Sequence, residues 1–190
     1  MPAHGGRWGR WSTLLAGLPY DVQAALFNRL APRNDLNPDS CYRLPILFST
    51  PRLTVNAGAA TVSNWRFLSL TAVYGISKSF SNETVQAAGV TAGVAGLTAT
   101  WPDEVNIQIS FNQGSTVWIG SNAEPCTLAS IGSAGGGDLG GSGPTRVDPI
   151  VATREDQWTL TLTGQAALAN AVFSTVTLHG TKIYNAGGAI

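Results

Sequence analysis

Val105-Asn106-Ile107-Gln108-Ile109-Ser110-Phe111 alternates apolar and polar residues without a break. That period of two belongs to a β-strand with one dry face and one wet or partner-facing face. Trp158-Thr159-Leu160-Thr161-Leu162-Thr163 repeats it. Working outward from these two, β-branched and aromatic runs separated by Gly, Pro, Asn and Ser clusters predict strands near 42–48, 52–56, 65–74, 84–91, 105–111, 116–119, 149–152, 158–163 and 172–184. No regular helix follows each strand, so a parallel βαβ arrangement is disfavoured and an all-β antiparallel sandwich is expected. Residues 65–74 are apolar on both parities, which predicts a strand covered on both faces. In the last strand Ile183 lies at an odd offset from Leu178, and Gly180 is the expected site of a bulge that restores register.

The chain divides at about residue 40. Residues 1–40 are expected to form an N-terminal arm with one short helix, and 41–190 the sandwich domain. Val22, Leu26 and Leu30 recur at helical spacing behind Pro19 and Asp21, which suit a helix start. Ahead of them Arg7, Trp8, Arg10 and Trp11 mix cations with large aromatic rings. Such residues are candidates for docking on a neighbouring subunit or on a membrane. The apolar run after Arg10 is short, broken by Ser12, Thr13 and Gly17, and lacks a small-x-small cleavage site, so no signal peptide is read.

Composition narrows the function. The chain has 190 residues, eleven Lys and Arg against eleven Asp and Glu, and only 12% charged residues. Zero net charge offers no field for specific nucleic-acid binding. So few charges on a soluble chain suggest a surface partly covered by partners. Cys41 and Cys126 are too far apart in sequence for a close metal-ligand motif and read as two small buried groups, with a single bridge left open. Residues 132–143 contain seven glycines and predict a long loop, mobile in a free subunit and ordered by contacts in an assembly.

No catalytic set emerges. The Gly-rich segment ends Gly143-Pro144-Thr145 and not Gly-Lys-Ser/Thr, so it is no phosphate cradle, and neither Ser133 nor Ser142 sits in a nucleophile elbow. His179 falls on a hydroxyl-rich strand face with Thr175, Thr177 and Thr181, without a second ligand-type residue at ligand spacing. Asp103-Glu104 and Glu155-Asp156 are adjacent carboxylates, which an extended chain turns to opposite faces. Asn82-Glu83-Thr84 matches a glycosylation sequon. No catalytic residue, cofactor or metal ligand is therefore assigned. Trp101 and Trp118, at strand edges, are candidates for stacking on sugar rings.

Two stretches carry a resemblance. Tyr42-Arg43-Leu44-Pro45-Ile46-Leu47-Phe48 after a short helix, and Trp158-Thr159-Leu160-Thr161-Leu162 with Val176-Thr177-Leu178-His179-Gly180-Thr181-Lys182-Ile183, resemble the first and last strands of small viral jelly-roll capsid proteins. The likeness is to those of tailless, membrane-containing double-stranded DNA phages. It covers about a third of the chain and rests on pattern. It implies a jelly roll that tiles an icosahedral shell in the virion, with copies of itself, other capsid proteins and possibly an underlying membrane as partners. The leading alternative from the residues alone is a carbohydrate-binding or adhesin-like sandwich, and a hydrolase comes third.

Overall fold

The computed structural model describes residues 5–82, 102–112, 116–120, 124–132, 143–165, 171–186 and 188–189. Two helices, α1 (Gly5–Leu15) and α2 (Tyr20–Leu30), precede the strands. These are β1 (Cys41–Ser49), β2 (Leu53–Val55), β3 (Ala60–Arg66), β4 (Leu70–Asn82), β5 (Val105–Phe111), β6 (Thr116–Ile119), β7 (Cys126–Thr127), β8 (Thr145–Ala152), β9 (Gln157–Gly164), β10 (Val172–Asn185) and β11 (Gly188–Ala189). One sheet runs β1-β10-β4-β8, with β2 and β11 also paired to β10, and the other runs β3-β9-β5-β6, with β7 also on β5. All pairings are antiparallel. Successive long strands mostly alternate between the sheets, so the first and last lie side by side. This is the double Greek-key wiring of a jelly roll.

The two alternating stretches meet the core as expected. Val105, Ile107, Ile109, Trp158, Leu160 and Leu162 are buried between the sheets, and Phe111 packs against them. Trp158 is the centre of this layer, with Trp65, Phe67, Phe111 and Trp118 at ring-centroid distances of 6.0, 5.6, 5.7 and 5.5 Å. The Nε1 atoms of Trp65 and Trp158 are buried there without a hydrogen-bond partner among the described residues. Such a group costs on the order of 1–3 kcal/mol, which the apolar area of the rings must offset.

The outer face of the first sheet is also covered. Trp11 and Leu15 from α1 and Val22, Leu26 and Leu30 from α2 pack with Leu36 on Leu70, Ala72 and Ile183. The molecule thus has three layers, and the expected arm belongs to the body. Two helices form where one was expected. Gly5, Gly6 and Gly9 lower the intrinsic helicity of α1, but a buried Trp11–Leu15 stripe of spacing four stabilises it through tertiary packing. Gly17, at φ 79°, turns the chain in the left-handed region between the helices.

The predicted strand over 65–74 is in fact two. β3 ends at Arg66, Phe67–Ser69 crosses the sandwich, and β4 starts at Leu70. The double coverage holds for the start of β4, where Val73 faces the sandwich and Leu70 and Ala72 face the helices. β4 continues through Asn82, beyond the predicted end. The predicted strand over 84–91 lies outside the described residues, as do 133–142 of the Gly-rich segment. The described ends of that segment meet. A Cβ on Gly132 would collide with the Gly143 carbonyl, and the Gly132 N–H donates to Thr145 Oγ1 at 2.7 Å.

The register does shift at Gly180, but the extra residue is on the partner strand. His179 pairs with Gly75 and Gly180 with Val73, leaving Tyr74 as the bulge. A side chain at 180 would strike the Ala72 carbonyl oxygen, which explains the glycine. β10 keeps strict alternation, so Ile183 faces away from Leu178 and is buried under the helices. The expectation that the bulge returns Ile183 to the sandwich core assumed one covered face where there are two.

The face assignment predicts opposite outcomes for neighbouring substitutions. Ile107→Asp places an unpaired charge in the core and should cost roughly 4 kcal/mol or more. Gln108→Asp, on the other face of β5, should change stability by less than about 1 kcal/mol. Urea unfolding of both variants checks this, and equal losses would refute the assignment.

Candidate functional site

Among the described residues, groups that could act chemically are scattered, and no three of His, Cys, Asp or Glu come together to hold a metal ion. His179 lies on the outer face of the first sheet, beside Leu47 of β1 and Gly75 of β4. Its Nε2 is 2.7 Å from Ser77 Oγ, which is itself buried. The neighbouring row holds a second hydroxyl contact, Ser49 Oγ to Thr177 Oγ1 at 2.8 Å. Burial holds the imidazole below its ordinary value of 6.5. A buried hydroxyl bonded to a half-buried ring is a structural clasp between β4 and β10.

The carboxylate pairs serve turns. Asp156 accepts from the Thr153 N–H at 2.7 Å and from Thr153 Oγ1 at 3.0 Å. Burial pushes its carboxyl up, but these bonds and one from Asn112 outweigh it, leaving it below the usual carboxylate range. Glu155 is exposed in the same turn. Asp103 is exposed in a short 3-10 turn, Pro102–Glu104, whose Asp103 carbonyl accepts from Gln165 Nε2 at 3.0 Å. Cys41 and Cys126 are free thiols in different sheets, and burial raises the Cys41 pKa.

Of the arm residues, Arg10 is exposed, while Trp11 is only 4% exposed and faces the chain's own sheet. Trp11 therefore does not reach a neighbour or a membrane as expected, because the sheet beneath it offers Leu70, Ala72 and Ile183 as a dry floor. Arg7 and Trp8 lie within α1, but their side chains fall outside the described residues. Arg43 holds the end of α1 by donating to the Ala16 carbonyl at 2.9 Å. Arg146 grips both carboxylate oxygens of Asp21 at 2.6 and 2.8 Å, joining α2 to β8 and lowering the Asp21 pKa. Trp118 turns edge-on to Trp158 and donates its Nε1–H to the Asp148 carbonyl at 3.0 Å. Trp101 lies outside the described residues.

Two features escaped the sequence reading. Lys78 is wholly buried in β4, on the side of Ile76, and its Nζ donates to the Ile131 carbonyl. A cleft of about 350 Å³ opens beside β1, lined by 45–48, 66–69, Thr71, Lys182 and Tyr184. Its lips carry Leu47 and Leu68, 74% and 80% exposed, and its walls carry Arg66 and Lys182. Tyr42 stacks on Tyr184 at 5.5 Å, with the Lys182 ammonium 5.1 Å from the Tyr184 ring. Protruding apolar groups beside cations suit a protein contact better than a small-molecule pocket.

No protein-family model matches the chain, and no curated protein matches it.

Two outcomes test these placements. Trp11→Ala should cost roughly 3 kcal/mol or more, since it opens a cavity under α1. A loss under about 0.5 kcal/mol in chemical denaturation would show that the ring is not packed there. For His179, a lowered folded-state pKa means that the unfolded chain binds the proton first. Its contribution is complete above about 6.5 and declines as pH falls from there to the lowered value. Stability should therefore drop as pH falls below about 6.5, and the drop should shrink in His179→Asn. Identical pH profiles for the two proteins would contradict the clasp.

Proposed function

We propose that the chain is a virion structural protein, a jelly-roll capsid subunit that assembles with copies of itself into a shell. The observation that carries the reading is the wiring of the two sheets, β1-β10-β4-β8 against β3-β9-β5-β6. Capsid, lectin and cupin domains use this wiring, so the surface must choose among them. A cupin-like metal site would need converging ligands, and the described residues bring none together. Of the two rings considered for a glycan platform, Trp118 is engaged with Trp158 and the Asp148 carbonyl, and Trp101 lies outside the described residues. Exposed Leu47 and Leu68 around a cleft, on a chain with few charges, suit a subunit surrounded by others. Other capsid proteins and a membrane beneath the shell are the further partners proposed, with Arg10 on the exposed side of α1 available to either.

Sedimentation and negative-stain microscopy of the purified protein test the proposal. Regular shells, rings or sheets of one repeating unit are expected as concentration rises. A chain that stays monomeric at every concentration, or one that binds a glycan through Trp101 or Trp118 without assembling, would overturn it.

A further inference from the structure

The core face of the first sheet runs on past the second sheet. Ile46 of β1 is buried in the sandwich core, and on a pleated strand the side chains two and four residues away share its face. Those are Leu44 and Tyr42, which pair in register with Lys182 and Tyr184 of β10. At this end the second sheet stops at the Arg66–Gln157 pair and leaves Leu44 and Tyr42 43% and 49% exposed. The crossing from Phe67 to Ser69 closes one side and makes the cleft of about 350 Å³, with Leu68 on its lip. Of the seven large hydrophobic side chains exposed among the described residues, Tyr42, Leu44, Leu47 and Leu68 gather here. A patch, and not a scatter of single residues, marks a place of contact.

The charge at the cleft is of one sign. Arg66 and Lys182 line it, and no acid does. Both have neutral partners. Arg66 Nη2 donates to Gln157 Oε1 at 3.1 Å, and the Lys182 ammonium lies 5.1 Å from the Tyr184 ring, whose hydroxyl it hydrogen-bonds, lowering the phenol pKa. Elsewhere Arg33 and Arg146 are paired with Asp35 and Asp21, but among the described residues neither cation of the cleft meets a carboxylate.

From this we infer that the cleft receives a polypeptide segment of a neighbouring protein in which a carboxylate stands beside large apolar side chains. The inference deepens the capsid reading by giving the chemistry of one contact, and rests on that reading for the neighbour. The exposed leucines and Tyr42 cover the apolar groups of the segment while Arg66 and Lys182 answer its acid. A small anion would leave the apolar lips in water, and a segment without an acid would bury two unpaired cations. Pro45, in the middle of β1, has no N–H to donate, so the segment is held by side chains and not as an added strand. Exposed ion pairs are individually weak, which makes the contact salt-dependent while the apolar part persists.

Binding of four fluorescent nine-residue peptides to the full chain, read by fluorescence anisotropy, tests it. The peptides alternate glutamate with leucine, lysine with leucine, glutamate with serine, and lysine with serine, which separates charge from apolar character. The glutamate–leucine peptide should bind at least tenfold more tightly than any other. Its affinity should fall at least tenfold in the double variant Arg66→Gln with Lys182→Gln, and at least threefold in Leu68→Ser, with thermal unfolding verifying that each variant folds. Salt gives a measurement that needs no variant: binding should weaken between 0.1 and 1 M, as the screening length falls from about 10 to 3 Å. No binding, equal binding of the lysine–leucine peptide, or equal binding by the natural chain and the double variant would overturn the inference. Capture of anionic phosphatidylglycerol vesicles through Arg66 and Lys182, with no peptide bound, would overturn it in favour of a lipid surface. Sedimentation of the natural chain separates this from the capsid reading: assembly without peptide binding overturns the cleft contact alone, and peptide binding by a chain that never assembles supports the contact and overturns the capsid reading.

Discussion

The pairing of β10 with β4, unbroken from Val172–Asn82 to Ile183–Leu70 except at one bulge, is the constraint on which the other elements depend. These strands are central in their sheet, and each must satisfy two environments. Val176, Leu178, Val73 and Ile76 face the aromatic layer around Trp158, while Ile183, Leu70 and Ala72 face the helices. Without a bulge, Val73 and Ile76 would fall on opposite sides. Tyr74, displaced opposite Gly180, moves β4 by one residue and lets both stay in the core. Burial on both faces where Leu70–Val73 pairs with Gly180–Ile183 leaves that part of the pair little access to water and makes it the natural nucleus of stability.

The position of this pair explains where the surface is free to act. With the outer face of the first sheet partly occupied by α1 and α2, the cleft beside β1 carries the exposed Leu47 and Leu68 together with Arg66 and Lys182. Prolines in the outer strands of the first sheet, Pro45 in β1 and Pro149 in β8, protect its edges from unregulated sheet extension while leaving their side chains available. The proposed capsid subunit would need both properties to meet copies of itself without aggregating.

Much of the sandwich was legible because strand periodicity is a local signal. Val105 to Phe111 and Trp158 to Leu162 declare their buried face within a few residues. What was missed depends on partners distant in sequence. The far half of β4, Ile76-Ser77-Lys78-Ser79-Phe80, reads as polar, yet Ser77 is clasped by His179 and Lys78 finds the Ile131 carbonyl. α1 is weak as a peptide and exists because a sheet receives Trp11 and Leu15. Phe67–Ser69 looked like strand because it continues the apolar run from β3 into β4, yet it crosses between the sheets with Phe67 buried and Leu68 exposed. The cleft joins residues from β1, the β3–β4 crossing and β10, and no local pattern announces it.

Native-state hydrogen exchange tests the central claim most directly, because it reports which backbone amides are released only by global unfolding. The amides of Leu70–Lys78 in β4 and Val176–Ile183 in β10 should exchange slowest, and those of Val22–Leu30 in α2 should follow the same global opening. If β4 and β10 exchanged as fast as the outer strands β3 and β6, or if α2 opened independently, the doubly covered pair would not be what holds this fold together.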